Sequence, residues 1–395
     1  MTQTPARARR PRDRRERIIA AAAEQFRAAG YHNVGIVEIA EAVGITSGAL
    51  YRHFDDKEDL LLATVEDAID RLGAVWARDY PGLDALFEVT CALAIERPDA
   101  AVLWGREIAY LPADVQRKLR QGLLSAIKPV RSAIASARPD LSPDDVDLLL
   151  WATAAVIASV GYHSVKLENR RFRTLLARVC RSVCLTPGIP ARDQSPSSRV
   201  SASATGQLPT SRPEAILVAA TRLFSERGYQ AVSVDDIGAA AGITGATVYH
   251  HYPNKSAILA AALRRCLQAM FFDLSSALGT PSPGEALDRL LGFLVRMAIE
   301  HGQTIGALLN EIPSLPAEAR EPLRQAELDY AAEWTALLTR HRPALTDAEA
   351  QVLAYATMSA INSLLATPHL RVRPTLHAEL LAIGRAILAT ESDPG

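Results

Sequence analysis

Residues 46–54 read Thr-Ser-Gly-Ala-Leu-Tyr-Arg-His-Phe, and on a helix Leu50 and Phe54 would share an inward face. The outward face then carries small residues first, followed by tyrosine, arginine and histidine. Small residues let the backbone approach a DNA groove, arginine can pair with guanine through two hydrogen bonds, and tyrosine and histidine can reach phosphates. The pattern predicts DNA contacts from Thr46, Ser47, Ala49, Tyr51, Arg52 and His53.

The same segment recurs 198 residues later in the chain. Gly44-Ile45-Thr46 is repeated as Gly242-Ile243-Thr244, and the Tyr-x-His of residues 51–53 is repeated at 249–251. Most outward residues differ between the copies, so the two segments present different faces to a base sequence. In the second copy we predict contacts from Thr244, Gly245, Thr247, Tyr249, His250 and His251.

A lysine follows each segment at the same distance. Lys57 comes after Asp56 and Lys255 after Asn254, and both preceding residues are natural helix N-caps. A helix N-terminus attracts anions, so a lysine at the first helical position predicts a phosphate clamp. A solvated surface charge is the alternative for either lysine alone, but the repetition in register favours the clamp.

Two helices joined by a tight turn must position these residues. We expect a first helix over about residues 15–29, ended by Gly30, and a second helix that begins after Gly35 in one copy and after Ser233 in the other. Gly44 and Gly242 supply the turn, and the recurring segment is the helix that follows. Such a helix-turn-helix sets its second helix into the major groove.

Near the start of the sequence, seven arginines lie between positions 7 and 17. The whole chain has a net charge of −1, so any surface for a polyanion must be local, and this segment is the strongest local excess. We predict a disordered arm that enters the minor groove through Arg9, Arg10, Arg12 and Arg14. A solubilising tail is the alternative.

The repetition extends past the DNA-binding segments. Glu107-Ile108 recurs as Glu311-Ile312 and Arg138-Pro139 as Arg342-Pro343, now 204 residues apart. Apolar residues recur every three or four positions and alternating Val/Ile runs are missing, which predicts an all-α fold. We expect an arm and first DNA-binding domain over 1–62, a helical regulatory domain over 63–185, a flexible linker over 186–210, a second DNA-binding domain over 211–260 and a second regulatory domain over 261–395.

Composition and missing motifs exclude several classes of protein. With 49% hydrophobic and 22% charged residues, no signal peptide and no unbroken 18-residue apolar run, we expect a cytoplasmic protein without a membrane partner. A nucleophile elbow, a phosphate loop and a His-Glu-x-x-His motif are missing, so we expect neither an enzyme nor a bound cofactor or metal. Cys180 and Cys184 have the spacing of a redox or metal pair, but their apolar neighbours favour buried packing.

The Gly-Tyr, Ile-Ala, Gly-Ile-Thr, Leu-Tyr-x-His-Phe and Lys-Glu-x-Leu-Leu elements of the first copy resemble the DNA-binding signature of TetR-type repressors. The second copy departs from it at Gly238, Tyr252-Pro253 and Ser256-Ala257. As a whole, the chain resembles the tandem TetR regulators of actinobacteria, including repressors of mce operons. The resemblance implies a nucleoid-associated regulator and favours a repressor. It also implies an effector-binding domain of about six helices behind each DNA-binding domain.

The resemblance also implies that the last two helices of each copy form a four-helix contact, over about residues 143–166, 170–184, 346–366 and 374–390. Small residues permit a close approach there, whereas packing within one domain is the alternative. We expect an intramolecular pseudo-dimer in which one chain covers one non-palindromic operator, with a homodimer of tandem chains as the other arrangement. The small residues are Ala152, Ala155, Ala158, Ser159, Ala356, Ser359, Ala360 and Ser363.

Each regulatory domain is expected to hold an apolar cavity for a small hydrophobic effector, fatty-acyl or sterol-like on the resemblance alone. Core packing is the alternative interpretation of each candidate residue. As an alternative function, a DNA-bound adaptor or architectural protein would use the helical domains to bind proteins. The candidate ligand-binding residues are Trp76, Trp104, Tyr110, Trp151, Tyr162, Phe271, Met297, Asn310, Tyr330, Trp334, Tyr355 and Asn362.

Overall fold

The computed structural model describes residues 11–187 and 208–392, without the side chains of residues 11–13, 301–305, 307 and 310. Every regular element in these ranges is a helix and none is a strand, which confirms the all-α prediction. Most of the expected linker lies outside the described residues, as do Arg9 and Arg10 of the predicted arm.

The first copy of the repeat begins with the three helices of a helix-turn-helix domain, and seven further helices follow within the described residues. Short 3-10 turns at residues 31–33, 107–110 and 159–162 lie between some of them. The helices are α1 (Pro11–Ala29), α2 (Ile36–Val43), α3 (Ser47–Leu50), α4 (Lys57–Trp76), α5 (Leu83–Glu96), α6 (Asp99–Gly105), α7 (Ala113–Ala126), α8 (Lys128–Ala137), α9 (Pro143–Ala158) and α10 (Asn169–Cys184).

The second copy repeats this order, but two pairs of helices in the regulatory domain are each fused into one helix, and a short helix is added near the end. Pro98 separates α5 from α6, whereas residues 284–310 contain no proline and form one continuous helix. The helices are α11 (Arg212–Arg227), α12 (Val234–Ala240), α13 (Gly245–Tyr249), α14 (Lys255–Leu278), α15 (Pro283–Asn310), α16 (Ala317–His341), α17 (Asp347–Ala366), α18 (Pro368–Arg371) and α19 (Leu376–Leu388).

Glycines end the first two helices of the first copy, and their equivalents recur in the second. The φ angle is 84° at Gly30, 73° at Gly44, 80° at Gly228 and 70° at Gly242. Residues with a Cβ rarely adopt these angles, so glycine lets the chain leave a helix and turn sharply at these points. The predicted turns are confirmed in both copies.

Helix α1 begins at Pro11, earlier than the expected start near residue 15. The guanidinium of Arg15 lies 4.9 Å from the centroid of the Phe54 ring, and Arg17 donates a hydrogen bond to the Val43 carbonyl at 3.3 Å. Arg12 and Arg14, expected in a disordered arm, also lie within α1, so the helical part of the basic cluster belongs to the DNA-binding domain. The early start is compatible with a proline in the first turn, where its missing N–H costs no helical hydrogen bond.

The described helices pack as two compact units. Unit one contains residues 11–133 and 160–162, and unit two contains 134–159 and the described residues from 163 onward. The core of unit one includes Phe26, Leu50 and Phe54 of the DNA-binding domain together with Leu103. Because helices of the first copy pack in both units, this grouping follows packing rather than chain order, and the domain boundaries along the chain stay a prediction.

Within unit two, α9 and α10 of the first copy pack against α17 and α19 of the second copy. Small residues allow a close approach, since the Ser359 hydroxyl donates a hydrogen bond to the Ala155 carbonyl at 2.8 Å. Ala152 and Ala356 are fully buried in the same region.

The segment Pro143–Tyr162 is long and apolar enough to cross a membrane, but 67% of its most apolar window is buried inside the protein. A helix covered on several sides needs apolar residues all round.

Candidate nucleic-acid interface

In the first copy, α3 is a short helix whose N-terminus is capped by the side chain of the preceding residue. The Thr46 hydroxyl oxygen accepts a hydrogen bond from the amide of Ala49 at 3.2 Å and so caps the helix. Leu50 and Phe54 are buried, as the sequence predicts. Tyr51 is 51% exposed and Arg52 is exposed beside it. Of the residues proposed for DNA contacts, Thr46 is exposed as well, whereas Ser47, Ala49 and His53 are half-buried.

In the second copy, α13 has the same cap but a different fit to its neighbour. The Thr244 hydroxyl accepts from the amide of Thr247 at 3.3 Å, and Tyr249 is 56% exposed. Gly245 is buried instead of facing outward as predicted. A Cβ at this position would meet the carboxylate of Asp235 in α12. The first copy has Ser47 at the equivalent position and Val37 in place of Asp235.

The turn of the second copy is also tighter than that of the first. A Cβ on Gly238 would lie 2.9 Å from the amide nitrogen of Gly245 and 3.0 Å from the Ile243 carbonyl oxygen. The first copy accommodates Ala40 at the equivalent place, fully inside its core. The departure of Gly238 from the family pattern therefore has a steric cause. His250 and His251 lie exposed beyond this turn.

Lys255 turns back toward the segment that follows α11. Its Nζ donates hydrogen bonds to the carbonyl oxygens of Tyr229 at 2.8 Å, Gln230 at 3.3 Å and Val232 at 2.9 Å, and it lies 4.4 Å from the centroid of the Tyr229 ring. These acceptors use all three protons of the ammonium group. Lys255 therefore joins the first turn of α14 to the end of α11.

Lys57 takes the equivalent place with fewer bonds. Its Nζ lies 4.3 Å from the centroid of the Tyr31 ring, and within the described residues no hydrogen bond from this ammonium group is formed. Partial burial lowers the pKa of Lys57 and of Lys255, and nearby Glu107 and Glu311 oppose this shift. The phosphate clamp stays a prediction for both lysines, although only Lys57 has its donors available.

Arg106 contributes a contact that the sequence analysis missed. Its guanidinium donates to the carbonyl oxygens of Phe26 at 2.9 Å and Arg27 at 3.2 Å at the end of α1, and it also pairs with Glu107. The fully buried Glu107 accepts from the amide of Tyr31 at 3.0 Å. Within unit one, this cluster joins the DNA-binding domain to the segment after α6. The internal repeat does not indicate this contact, because the second copy has an asparagine where the first has Arg106.

Several aromatic residues expected around a cavity in the first copy make packing contacts, and their ligand-binding role stays a prediction. The indole N–H of Trp76 donates to the Thr90 hydroxyl at 3.2 Å, and the ring of Tyr110 stacks on that of Tyr31 with centroids 5.7 Å apart. Tyr162 is 45% exposed. The other two candidates, Trp104 and Trp151, are half-buried.

A small pocket, partly open to solvent, lies in unit two between α14, α15, α16 and α17. Three predicted residues line it, namely Met297, Tyr330 and Asn362. Phe271 and the fully buried Trp334 stand edge-on to the Tyr330 ring, with centroid distances of 5.8 Å and 6.4 Å. The ligand-binding role of all five stays a prediction, and the side chain of Asn310 lies outside the described residues.

Tyr355 lies at the contact between the two copies rather than in this cavity. Its ring stacks on His163, with centroids 4.8 Å apart and an interplanar angle of 29°. His163 Nδ1 accepts from the amide of Val165 at 3.3 Å, whereas its buried Nε2 has no hydrogen-bond partner in the described structure. Burial lowers the pKa of His163 to about 4, so the ring is neutral at pH 7.

Two ion pairs connect the copies in a reciprocal manner. Asp145 and Glu349 hold equivalent positions, 204 residues apart, in the first turns of α9 and α17. Arg373, just before α19, pairs with Asp145, and Arg171, in the first turn of α10, pairs with Glu349 at 3.0 Å. Each acid of one copy thus meets an arginine of the other. The two arginines are not equivalent residues, since Arg171 lies inside α10 and Arg373 precedes α19.

The two cysteines with helical spacing are buried in α10, as predicted. Cys180 and Cys184 are 0% and 1% exposed, and burial raises the pKa of Cys184 to about 11. A thiol with a raised pKa is a poor nucleophile and metal ligand, so packing explains this pair. Within the described residues, no group of three or more His, Cys, Asp or Glu side chains is arranged to hold a metal ion.

Both DNA-binding segments match a family of known proteins. The sequence model of the bacterial regulatory proteins of the tetR family matches residues 18–64 and again residues 216–262. These two ranges cover the helix-turn-helix of each copy, from α1 into α4 and from α11 into α14.

Individual relatives match only part of the chain. The HTH-type transcriptional regulator HbdR of Aromatoleum sp. is 31% identical over 117 residues, which is 28% of this chain and 51% of that protein. The HTH-type transcriptional activator FasR of Mycolicibacterium smegmatis is 43% identical over 65 residues, 16% of this chain and 30% of the relative. The chain therefore spans about half or less of the length of these relatives.

Solved structures match about one copy at a time. The TetR-family regulator PfmR from Thermus thermophilus superposes on 45% of this chain and 99% of its own, with a TM-score of 0.39 and 26% identity. The more specific resemblance to repressors of mce operons stays a prediction.

Proposed function

We propose that the chain is a regulator of the tetR family with two DNA-binding domains in tandem, and that one chain supplies both recognition helices to one operator with two different half-sites. The observation that carries this proposal is the reciprocal pairing of Asp145 with Arg373 and of Glu349 with Arg171 within unit two. A homodimer of single-copy chains would form such pairs between two molecules. Here both halves of the pairing belong to the same polypeptide.

The two recognition segments support unlike half-sites. Arg52 in the first copy is replaced by His250 in the second, and Ala49 by Thr247. Arginine favours guanine through a bidentate pair, whereas a histidine or a threonine hydroxyl has fewer donors and a different reach. Recognition helices of paired helix-turn-helix domains reach DNA about 34–36 Å apart or at a multiple of this distance. We expect the operator to lack a palindrome.

An effector that binds the regulatory domains would release the DNA. The coupling is reciprocal, so a ligand that weakens DNA binding must itself bind the DNA-free state more tightly. The cavity lined by Met297 and Tyr330 supports a small ligand with an apolar body. By occupying a promoter the chain would repress transcription.

The proposal is tested by mapping operator contacts with Arg52→Ala and His250→Ala, each in the full-length chain. Each variant is expected to relax base preference at one position in one half-site only, with a loss of about 1–3 kcal/mol for the arginine. Light scattering of the same complexes should give one chain of 42.6 kDa per operator. Two chains on the shortest high-affinity DNA, or relaxation at symmetric positions by a single variant, would reject the model.

A further inference from the structure

The first turn of α13 has little polar chemistry of its own to present to a DNA base. Gly245 has no side chain and Ala246 is apolar. The hydroxyls of Thr244 and Thr247 are hydrogen-bonded to each other at 2.9 Å. Because the N-terminal residues of a recognition helix enter the major groove first, a base that meets this turn has to be read by a group from elsewhere in the domain.

The carboxylate of Asp235 in α12 lies beside this turn. Its carboxyl carbon would lie 3.1 Å from a Cβ built on Gly245, which is the place of the Ser47 side chain in the first copy. Asp235 is exposed, and within the described residues its carboxylate forms no hydrogen bond or ion pair. The adjacent Asp236 accepts from the Ser233 amide at 2.8 Å in the capping box of α12. The helix therefore uses one of these two acids and leaves the other free.

A carboxylate only accepts hydrogen bonds, and this property restricts the bases that it can meet. In the major groove, cytosine presents the donor N4, whereas guanine presents the acceptors N7 and O6 and thymine the acceptor O4. Adenine has a donor at N6 but an acceptor beside it at N7. A carboxylate therefore favours cytosine and is repelled by acceptor atoms of the other bases. This repulsion contributes to specificity because it weakens binding to wrong sequences.

Resting on the proposed operator function, we propose that Asp235 reads a cytosine in the half-site of the second copy, with its carboxylate accepting a hydrogen bond from N4 of the base. The acid acts from α12 across the N-terminus of α13, so two helices share the base contacts of this half-site. The first copy has the apolar Val37 at the equivalent position, 56% exposed, and cannot form this bond. An acid in the first turn of α12 also stabilises that helix through its dipole, but this role alone gives no base preference.

The test selects bound duplexes from a library with a randomised core, with the full-length chain and its variants. The wild type should prefer cytosine to guanine by about tenfold or more at one position of the half-site that His250→Ala also affects. Asp235→Asn should change the preference at this position to adenine, which an amide binds through N6 and N7. Asp235→Ala should bring all four bases at this position within about threefold of one another.

Asp144→Asn is the matched control. Asp144 is the second residue of α9, which has a serine N-cap as α12 does, and it lies outside both DNA-binding segments. This variant should leave every base preference unchanged. Preferences in the first half-site provide an internal control for the folding of the Asp235 variants.

Identical preferences in Asp235→Asn and the wild type, or a uniform gain of affinity for all duplexes in that variant, would overturn the assignment and leave the operator model standing. Enrichment of no sequence, or of one half-site alone, would reject the proposed function together with the assignment. The two failures are therefore distinguished by whether the wild type selects a site of two unlike halves.

Discussion

Lys57 and Lys255 hold equivalent positions, but only the ammonium of Lys255 is fully hydrogen-bonded, to three backbone carbonyls. We expect Lys255→Met to lower the free energy of unfolding by about 2 kcal/mol, because carbonyls near the end of α11 lose a charged donor. Lys57→Met should cost less stability. Urea midpoints of the two variants measure this difference.

The same pair separates a structural lysine from a phosphate contact. Lys57→Met should reduce the slope of log affinity for DNA against log salt by about one, since one phosphate contact is lost. Lys255→Met should leave the slope at its wild-type value in protein that is still folded. Equal slopes in both variants would contradict this assignment.

His163 makes the contact between the copies sensitive to acid. Its pKa in the folded chain is about 4, below the ordinary value of 6.5, because the ring is buried against Tyr355. The unfolded chain therefore binds the proton first as the pH falls, so stability is complete above pH 6.5 and declines toward pH 4. We expect the melting temperature to fall between pH 7 and pH 5.

Replacing His163 with phenylalanine should preserve the stacking on Tyr355 and flatten this pH dependence. The exposed His377→Gln is the matched control and should leave the wild-type profile intact. An identical profile for His163→Phe and the wild type would show that other groups cause the acid sensitivity.

At the scale of elements, the reciprocal ion pairs joining α9 and α10 to α17 and α19 differ in environment. Arg373 is 15% exposed and binds Asp145, Glu379 and the Asp144 carbonyl, whereas Arg171 is 47% exposed and binds Glu349. Removing one partner of a desolvated pair leaves a charge uncompensated, but an exposed pair contributes little.

We therefore expect Arg373→Ala to cost about 2–3 kcal/mol and Arg171→Ala at most about 1 kcal/mol. Chemical denaturation of the two variants gives the comparison, with each serving as the control for the other. Equal costs would mean that the pairs have the same environment in solution.

Helix boundaries in this chain were largely predictable, because caps and breakers are local. Gly30, Gly44 and Pro98 end or interrupt helices where the sequence indicates. The repeated Arg138-Pro139 motif has a role that the sequence analysis did not predict. Arg138 donates to the carbonyls of Cys184 and Thr186 at the end of α10, a contact between distant segments that local pattern does not encode.

The candidate site was predictable in part for the same reason. The exposure of Tyr51 and Tyr249 follows from helical periodicity. The burial of Gly245 depends on how closely α13 approaches Asp235, and this distance is a property of the packed pair of helices. Among aromatic residues, periodicity identifies an inward side chain without distinguishing a cavity wall such as Tyr330 from a packing contact such as Trp76.

For the molecule as a whole, the internal repeat was the most informative feature of the sequence. It predicted two helix-turn-helix domains, and both segments match the tetR family. It did not predict that the equivalent regions of the two copies would diverge, with α5 and α6 fused into the single helix α15.

The reciprocal ion pairs of Asp145 and Glu349 join copies that belong to one polypeptide, so their meeting does not depend on how many molecules a cell contains. A regulator assembled from separate subunits dissociates when it becomes scarce, and its promoter occupancy then falls with the square of subunit number. Tethered domains instead meet at an effective concentration on the order of millimolar. Occupancy should then vary linearly with gene dosage, and a single molecule would be a complete regulator.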